Sequence, residues 1–356
     1  MTASVFQEGS RRLGTAMRGI PDRVPVFAQM HEFVLRELKV SPSVFFSTPE
    51  LLVKGSLGVM ETYGIDVAML DYDVYNIEAE ALGQALVYTE TGMPDVDRGN
   101  PLIRDKSDLT KIRTPDFEKD GRLSMVLEMN RLFRETTGCA EGSPGFCAPF
   151  SLAANIRGIE QLLMDIYVDP EFARELFERL TDQVLIPWIR MLKQACPEAT
   201  GICGSDAWAS IPIVNLDIFR HWVLPYVKRL QDHCGAEVYV PNWVGESHLK
   251  NPVELLDLKL AACPGFVEGQ DPDVERLGPL FYKTYADEKD VPLVLGLGAA
   301  FLAHGKPGEI RDRVRRYIEI GGKGGRLALY LCNLGATTPP ENVSTVVQAV
   351  RDYGVY

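Results

Sequence analysis

The feature that most constrains this chain is an alternation, sustained from end to end, of short apolar runs with longer segments of helical periodicity. Val24-Pro-Val-Phe27 reads as an opening strand and Ile65-Asp-Val-Ala-Met-Leu70 as the next. Ile202-Cys-Gly-Ser205, Ala236-Glu-Val-Tyr-Val240, Phe266-Val267, Val291-Pro-Leu-Val-Leu295 and Leu327-Ala-Leu-Tyr-Leu331 continue the series. Helix starts lie between them. Thr48-Pro49-Glu50 combines a capping hydroxyl, a proline at the first helical position and an acid in the first turn, and that helix should stop near Gly64. Asp169-Pro170-Glu171 repeats the signal, after which Phe172, Leu176, Leu180 and Val184 fall along one helical face. Thr338-Pro-Pro-Glu341 reads as a capping box ahead of Val343, Val346, Val347 and Val350. Strands separated by helices imply parallel pairing through crossovers, and 356 residues suffice for one closed barrel. A doubly wound open sheet is the competitor, but no glycine-rich phosphate turn follows the first strand. The expected fold is α/β: a single (β/α)8 TIM-type barrel with an N-terminal helical extension, one domain over residues 1–356.

Charge and composition narrow the function classes. A net charge of -12 argues against a nucleic-acid surface, which needs a basic stripe to neutralise phosphates, and more weakly against an anionic membrane. No apolar run is long enough to span a bilayer, and the amino end lacks the charged-then-apolar pattern of a secretory leader, so a cytoplasmic location is expected. The 7 cysteines are dispersed, which is no disulfide framework; most read as small buried hydrophobes, and only Cys332, after the last strand, has a more suggestive context.

Several segments, in order, resemble the uroporphyrinogen decarboxylase superfamily. Glu78-Ala-Glu-Ala-Leu-Gly83, following Tyr63-Gly-Ile-Asp66, is similar to its early barrel segment. Cys147-Ala-Pro-Phe-Ser-Leu-Ala-Ala-Asn155 looks like its G-P-F-T-L-A segment, with cysteine in place of the glycine, and Met164-Asp-Ile-Tyr-Val-Asp-Pro170 resembles the following helix junction. Phe219-Arg-His-Trp-Val-Leu-Pro-Tyr-Val-Lys-Arg229 resembles its F-x-x-F-V-L-P-Y-x-K-R helix, and Thr338-Pro-Pro-Glu-Asn-Val343 its closing segment. The resemblance implies one of two chemistries: decarboxylation of uroporphyrinogen, or cobalamin-dependent methyl transfer to thiols or from aryl methyl ethers.

The residues bear on that choice. A substrate with many carboxylates needs several fixed guanidinium groups, and the opening segment Pro25-Val-Phe-Ala-Gln-Met-His31 has no arginine until Arg36. The thiol-methylating branch implies a zinc site of His-x-Cys and a distant Cys. Cys332 falls at the distant position, but Val240-Pro-Asn-Trp-Val-Gly-Glu-Ser-His248 lacks the first pair. What remains is a set of candidates at strand ends, which in a barrel converge on one mouth. Glu246, Glu268 and Asp206 are the acids expected to carry chemistry. Tyr72, Asn76, Trp208, Trp243 and His31 are the candidate substrate contacts. Glu268, His304 and Cys332 are the candidate zinc ligands, with His248 nearby. Each has a plain alternative: a solvated loop for Glu246 and His248, a helix end for His304, core packing for Cys332 and the aromatics, and helix capping for Asp206 and for Asp71, Asp73, Asn76 and Glu78.

The reading that results is a methyltransferase moving a methyl group from a methoxylated aromatic to the cobalt(I) of a corrinoid on a separate protein, since no Asp-x-His-x-x-Gly motif is present to ligate cobalt. A methylcorrinoid:thiol methyltransferase is the first alternative and uroporphyrinogen decarboxylase the second. A catalytically silent barrel that only binds a ligand is the reading from a different class.

Overall fold

Leu327–Leu331 is buried at every position, as a central strand must be when helices cover one face and a barrel interior the other. It anchors the fold. In the computed structural model, which describes residues 2–70, 72–139 and 142–356 with the side chains of Thr2 and His31 excepted, eight parallel strands follow one another. They are β1 (Val26–Ala28), β2 (Val67–Ala68), β3 (Gly145–Cys147), β4 (Ile202–Ser205), β5 (Val238–Tyr239), β6 (Val267–Gln270), β7 (Leu293–Leu297) and β8 (Leu327–Leu331). Helices follow each strand, from His31–Leu38 after β1 to Pro340–Tyr353 after β8. The helix Thr2–Ala16 precedes the first strand as the expected extension.

Pairing runs in two arcs. One has the order β2-β1-β8-β7-β6, so first and last strands are neighbours, with Phe27 opposite Tyr330. The other is β3-β4-β5. Among the described residues the β2–β3 and β5–β6 seams have no hydrogen-bonded ladder, and side chains bridge them. At the first seam the Tyr72 hydroxyl donates to the Gly145 carbonyl at 2.6 Å, and the Cys147 amide donates to Glu78 Oε1 at 3.0 Å. At the second, Lys259 links Glu246 on the β5 side to the Glu268 carbonyl on β6. Opposite the mouth, the Asp66 carboxylate accepts from Arg12 at 2.6 Å, Arg23 at 2.7 Å and the Val26 amide at 2.9 Å, fixing the N-terminal helix to the first two strands.

Most of the expected elements form, with instructive shifts. The strand expected at Val291–Leu295 runs from Leu293 to Leu297, because Pro292 has no N–H to give the ladder. The two-residue run Phe266-Val267 extends through Glu268 and Gln270, polar residues that a barrel interior accepts. Gly64 ends the helix Pro49–Tyr63 in the left-handed conformation, φ 71°, and Asp169 caps the next predicted helix through the Phe172 amide. Two caps differ from expectation. Thr48 turns its hydroxyl back to the Val44 carbonyl, and the Thr338 hydroxyl is buried without a hydrogen-bond partner, so Pro340–Tyr353 starts on its prolines with no capping box. Its valines nonetheless form the buried face. All 7 cysteines are free.

Candidate active site at the barrel mouth

Side chains alternate along a strand, so every second residue of a barrel strand points inward. The alternating partners of the buried helix-facing residues, Phe27, Cys203, Ser205, Tyr239 and Gln270, are half-buried. Half-burial in the middle of a barrel means that solvent enters from one end, here the carboxyl ends of the strands. Beyond those residues, Gln29, Met69, Tyr75 and Asn242 are also half-buried on the segments leaving the strands. The lining is orderly. Phe27 stacks on Tyr330 with ring centres 4.7 Å apart, the Tyr330 hydroxyl donates to Gln29 Oε1, and Asn242 Nδ2 donates to the Tyr75 hydroxyl at 3.1 Å. On β7 the inward position is Gly296, where an added Cβ would come within 2.6 Å of Cys332 Sγ and 3.1 Å of Gln270 Cγ. A glycine there lets the neighbouring strands bring those two side chains together.

Beneath this lining lies a buried acid. Glu268 is 6% exposed, inward on β6 and one inward position deeper than Gln270, whose amide donates to Glu268 Oε1. Burial pushes the Glu268 carboxyl above the usual carboxylate range; nearby Lys259 and the Gln270 hydrogen bond oppose that, and Glu246 adds to it. Lys259, itself buried, reaches through the β5–β6 seam, pairs with Glu246 Oε1 at 2.7 Å and donates to the Glu268 backbone carbonyl. The lysine thus pairs with one acid of the two directly. Burial also pushes the Cys332 thiol well up, with the charges of Glu268 and Asp271 in support, so it is a protonated thiol beside the acid.

The expected site residues divide sharply. Asp206 is fully buried: its carboxylate accepts from the Ser151 amide at 2.8 Å, near the start of the helix Pro149–Arg157, and from Trp243 Nε1 at 3.1 Å. Burial raises it to about 6. From a neighbouring loop, it accepts from the start of that helix. Glu246 and Trp243 have no exposed surface. Tyr72 and Asn76 are likewise buried, Tyr72 across the first seam and Asn76 on the Pro94 carbonyl at 2.7 Å. Trp208 is half-buried at the rim, its Nε1 on Asn155 Oδ1 at 3.2 Å and the Arg98 guanidinium 4.9 Å over its ring. The His31 side chain and Asp71 lie outside the described residues. Of the expected zinc ligands, His304 is exposed at the end of the helix Ala299–His304, whereas Glu268 and Cys332 are buried. Among the described residues no three His, Cys, Asp or Glu side chains are grouped to hold a metal ion. His248 is exposed too.

A second buried acid sits at the other seam. Glu78 is 1% exposed, Oε1 holds the Cys147 amide, and Oε2 is without a hydrogen-bond partner. Burial raises it from 4.5 to about 8. A carboxyl raised by folding binds its proton more tightly in the native than in the unfolded chain. Its contribution to stability is therefore complete below pH 4.5 and lost as pH rises through about 8. Glu78→Gln keeps the oxygen that accepts from Cys147 and removes the titration. Urea midpoints measured from pH 4.5 to 9 should fall at the alkaline end for the native chain and flatten for the variant; parallel curves would contradict this placement of the charge.

Comparison with known proteins agrees with the architecture. The sequence profile described as "Uroporphyrinogen decarboxylase (URO-D)" matches residues 9–353. The chain belongs to the uroporphyrinogen decarboxylase family. Within that family it is 28% identical over 318 residues to a uroporphyrinogen decarboxylase of Syntrophotalea carbinolica, covering 85% of this chain and 84% of the relative. It is 25% identical over 295 residues to the methylated-thiol–coenzyme M methyltransferase of Methanosarcina mazei, covering 82% and 74%. A solved methyltransferase from Methanosarcina mazei superposes with a TM-score of 0.78 at 20% identity, covering 97% of this chain and 99% of that one, which supports the TIM-barrel fold. The family thus contains both chemistries, and the mouth must discriminate between them. No helix of the described residues is long and apolar enough to cross a membrane.

Proposed function

We propose that this member of the family is a corrinoid-dependent methyltransferase, taking the methyl group of a methoxylated aromatic compound and passing it to a corrinoid on a separate protein. One observation carries the reading: among the described residues, the half-buried inward side chains at the strand ends carry no charge, and a buried acid, Glu268, lies beneath them. Phe27, Gln29, Met69, Cys203, Ser205, Tyr239, Gln270, Tyr330 and Cys332 include no arginine. Arg36 is engaged on the Ala336 and Thr338 carbonyls and Arg98, over the Trp208 ring, on Asp95. Uroporphyrinogen, with its many carboxylates, finds no bidentate partners in such a lining, whereas a neutral methoxylated ring finds aromatic and amide surface.

The chemistry asked of the chain is modest and specific. A methyl–oxygen bond in an aryl ether resists cleavage because phenolate is a poor leaving group. A cobalt(I) corrinoid, when docked, supplies the electron pair that takes the methyl group. The open, uncharged mouth suits approach by a cofactor carried on another chain. Glu268, whose carboxyl burial pushes toward the protonated form, supplies the proton to the departing ring oxygen, so that the electron pair of the broken bond leaves as a phenol. Gln270 orients that carboxyl through Oε1, Tyr330 and Phe27 offer the ring a stacking wall, and Trp208 closes the rim.

The test is anaerobic incubation with reduced corrinoid protein and a panel of methoxylated aromatics. Free phenol should appear in step with methyl loading of the corrinoid. Turnover of a methylated thiol with none of the ethers would transfer the reading to the thiol branch, which the Methanosarcina mazei relative represents. Carbon dioxide released from uroporphyrinogen would overturn both.

A further inference from the structure

At the end of the barrel opposite the mouth, a cavity of about 340 Å³ opens between the helix Pro279–Glu288, the start of β7 and the turn that leads into β8. Its lining includes three cations, Lys283, Lys323 and Arg326, against one acid, Asp287. In a chain whose net charge is -12, a concavity with that balance runs against the overall field. Two of the three cations have acid partners, which leaves the charge of Lys323 uncompensated. Lys283, with a side chain only 15% exposed, is paired with Asp287. Arg326 uses Nη1 on the Asp290 carboxylate at 2.6 Å and Nη2 on the Asp290 carbonyl at 2.8 Å, which leaves its Nε buried without a hydrogen-bond partner. Lys323 is exposed and enters no ion pair among the described residues.

The turn is built for close approach. Gly324, Gly325 and Arg326 all have left-handed backbone, at φ 78°, 80° and 58°. Two glycines adopt it freely; an arginine does not, so the fold holds Arg326 there against its preference. A Cβ added at Gly324 would meet nothing within 4 Å, so that position is open space beside the cations and not packed core. A buried guanidinium N–H without an acceptor, a cation without a counter-ion and an open glycine thus share one pocket. What they have in common is the lack of an anion.

We propose that this pocket is a binding site for a small tetrahedral oxyanion, a phosphate or the phosphoryl group of a small metabolite, held by Lys323, Lys283 and Arg326. It is independent of the methyl-transfer chemistry. Its occupant would tie the helix Pro279–Glu288 to the turn before β8 and so stabilise the base of β7 and β8, the arc that carries Gly296 and Cys332 at its other end.

The test uses the full chain and needs no activity. Isothermal titration with inorganic phosphate, sulfate and ribose 5-phosphate, and thermal unfolding in each against chloride at equal ionic strength, should show saturable binding and a saturable rise in Tm for at least one. Tighter binding of the sugar phosphate than of phosphate identifies an ester as the occupant; the reverse order identifies the free anion. Lys323→Ala, at an exposed position where folding is not at risk, should weaken binding about tenfold. Lys323→Glu should abolish it. A Tm rise that does not saturate, or one that chloride or either variant reproduces in full, is general salt stabilisation and overturns the site.

Discussion

Replacing Glu268 by glutamine is expected to slow methyl transfer by two to four orders of magnitude, the usual range for a general acid, at about 10²–10⁴-fold. The substitution preserves volume and the oxygen that accepts from Gln270, so folding and ring binding should survive while the proton does not. The pH profile gives an independent sign. An acid must be protonated to act, so the native rate should fall as pH rises through a pKa lifted above the ordinary glutamate value, and the limb should vanish in the variant. A variant retaining more than about a tenth of the native rate, or a native profile flat through the neutral range, would remove Glu268 from the chemistry. Gln270→Leu separates orientation from proton supply: it should lower kcat and leave the alkaline limb in place.

The second large effect is on stability. Lys259→Met takes the partner from Glu246, which has no exposed surface and whose Oε2 already lacks a hydrogen bond. Breaking one side of a buried ion pair costs about 3–5 kcal/mol. It should appear as a lowered urea midpoint at neutral pH. Burial already pushes the Glu246 carboxyl upward, and losing Lys259, which opposes that shift, pushes it further. The variant's deficit should therefore shrink on acidification, when a neutral Glu246 no longer needs its partner, and grow as pH rises. Removing both charges, with Lys259→Met and Glu246→Leu together, should recover part of the loss, since a matched apolar pair is often as stable as a buried salt bridge. A deficit below about 1 kcal/mol in the single variant would mean that the β5–β6 seam does not depend on this lysine.

The barrel was legible because its signals are local. Apolar runs, proline at the first helical position and glycine after the last are properties of neighbouring residues, and they placed most strands to within a few positions. β3 escaped because Gly145-Phe-Cys147 is too short to show a pattern, and its partners are supplied by the Tyr72 and Glu78 side chains and by β4. The site was less legible. Reading strand ends identified Glu268 and Cys332, whose inward direction follows from alternation on β6 and continuity with β8. It also selected Glu246, Trp243, Tyr72 and Asn76, whose burial depends on loops folding back over them, which no spacing reveals. His304, chosen because it follows the Val291–Leu295 strand, is exposed at the end of the next helix.

Lys259 was missed although it left a trace. Leu255, Leu256 and Ala262 make the helix Val253–Ala262 apolar on its inner side, and a lysine within that face needs an acid to meet it. The acids are legible in the sequence; the pairing is not. Gln270 and Tyr330 were missed for the opposite reason, since an amide and a phenol in apolar strands look like ordinary packing until alternation is read in three dimensions. The lack of charge among the described lining residues belongs to the same class of information. Missing arginines in the opening segment pointed to it, but eight strands together make it a property of the site.

Infrared difference spectroscopy on ¹³C-glutamate-labelled protein at neutral pH, native against Glu268→Gln, reads the proton that the proposed chemistry requires. The account predicts a protonated carboxyl band in the native spectrum that the substitution removes, and that native protein loses when titrated to alkaline pH. If the native spectrum differs from the variant only in carboxylate bands, Glu268 is ionised at working pH, and the barrel has no proton to give a leaving phenolate.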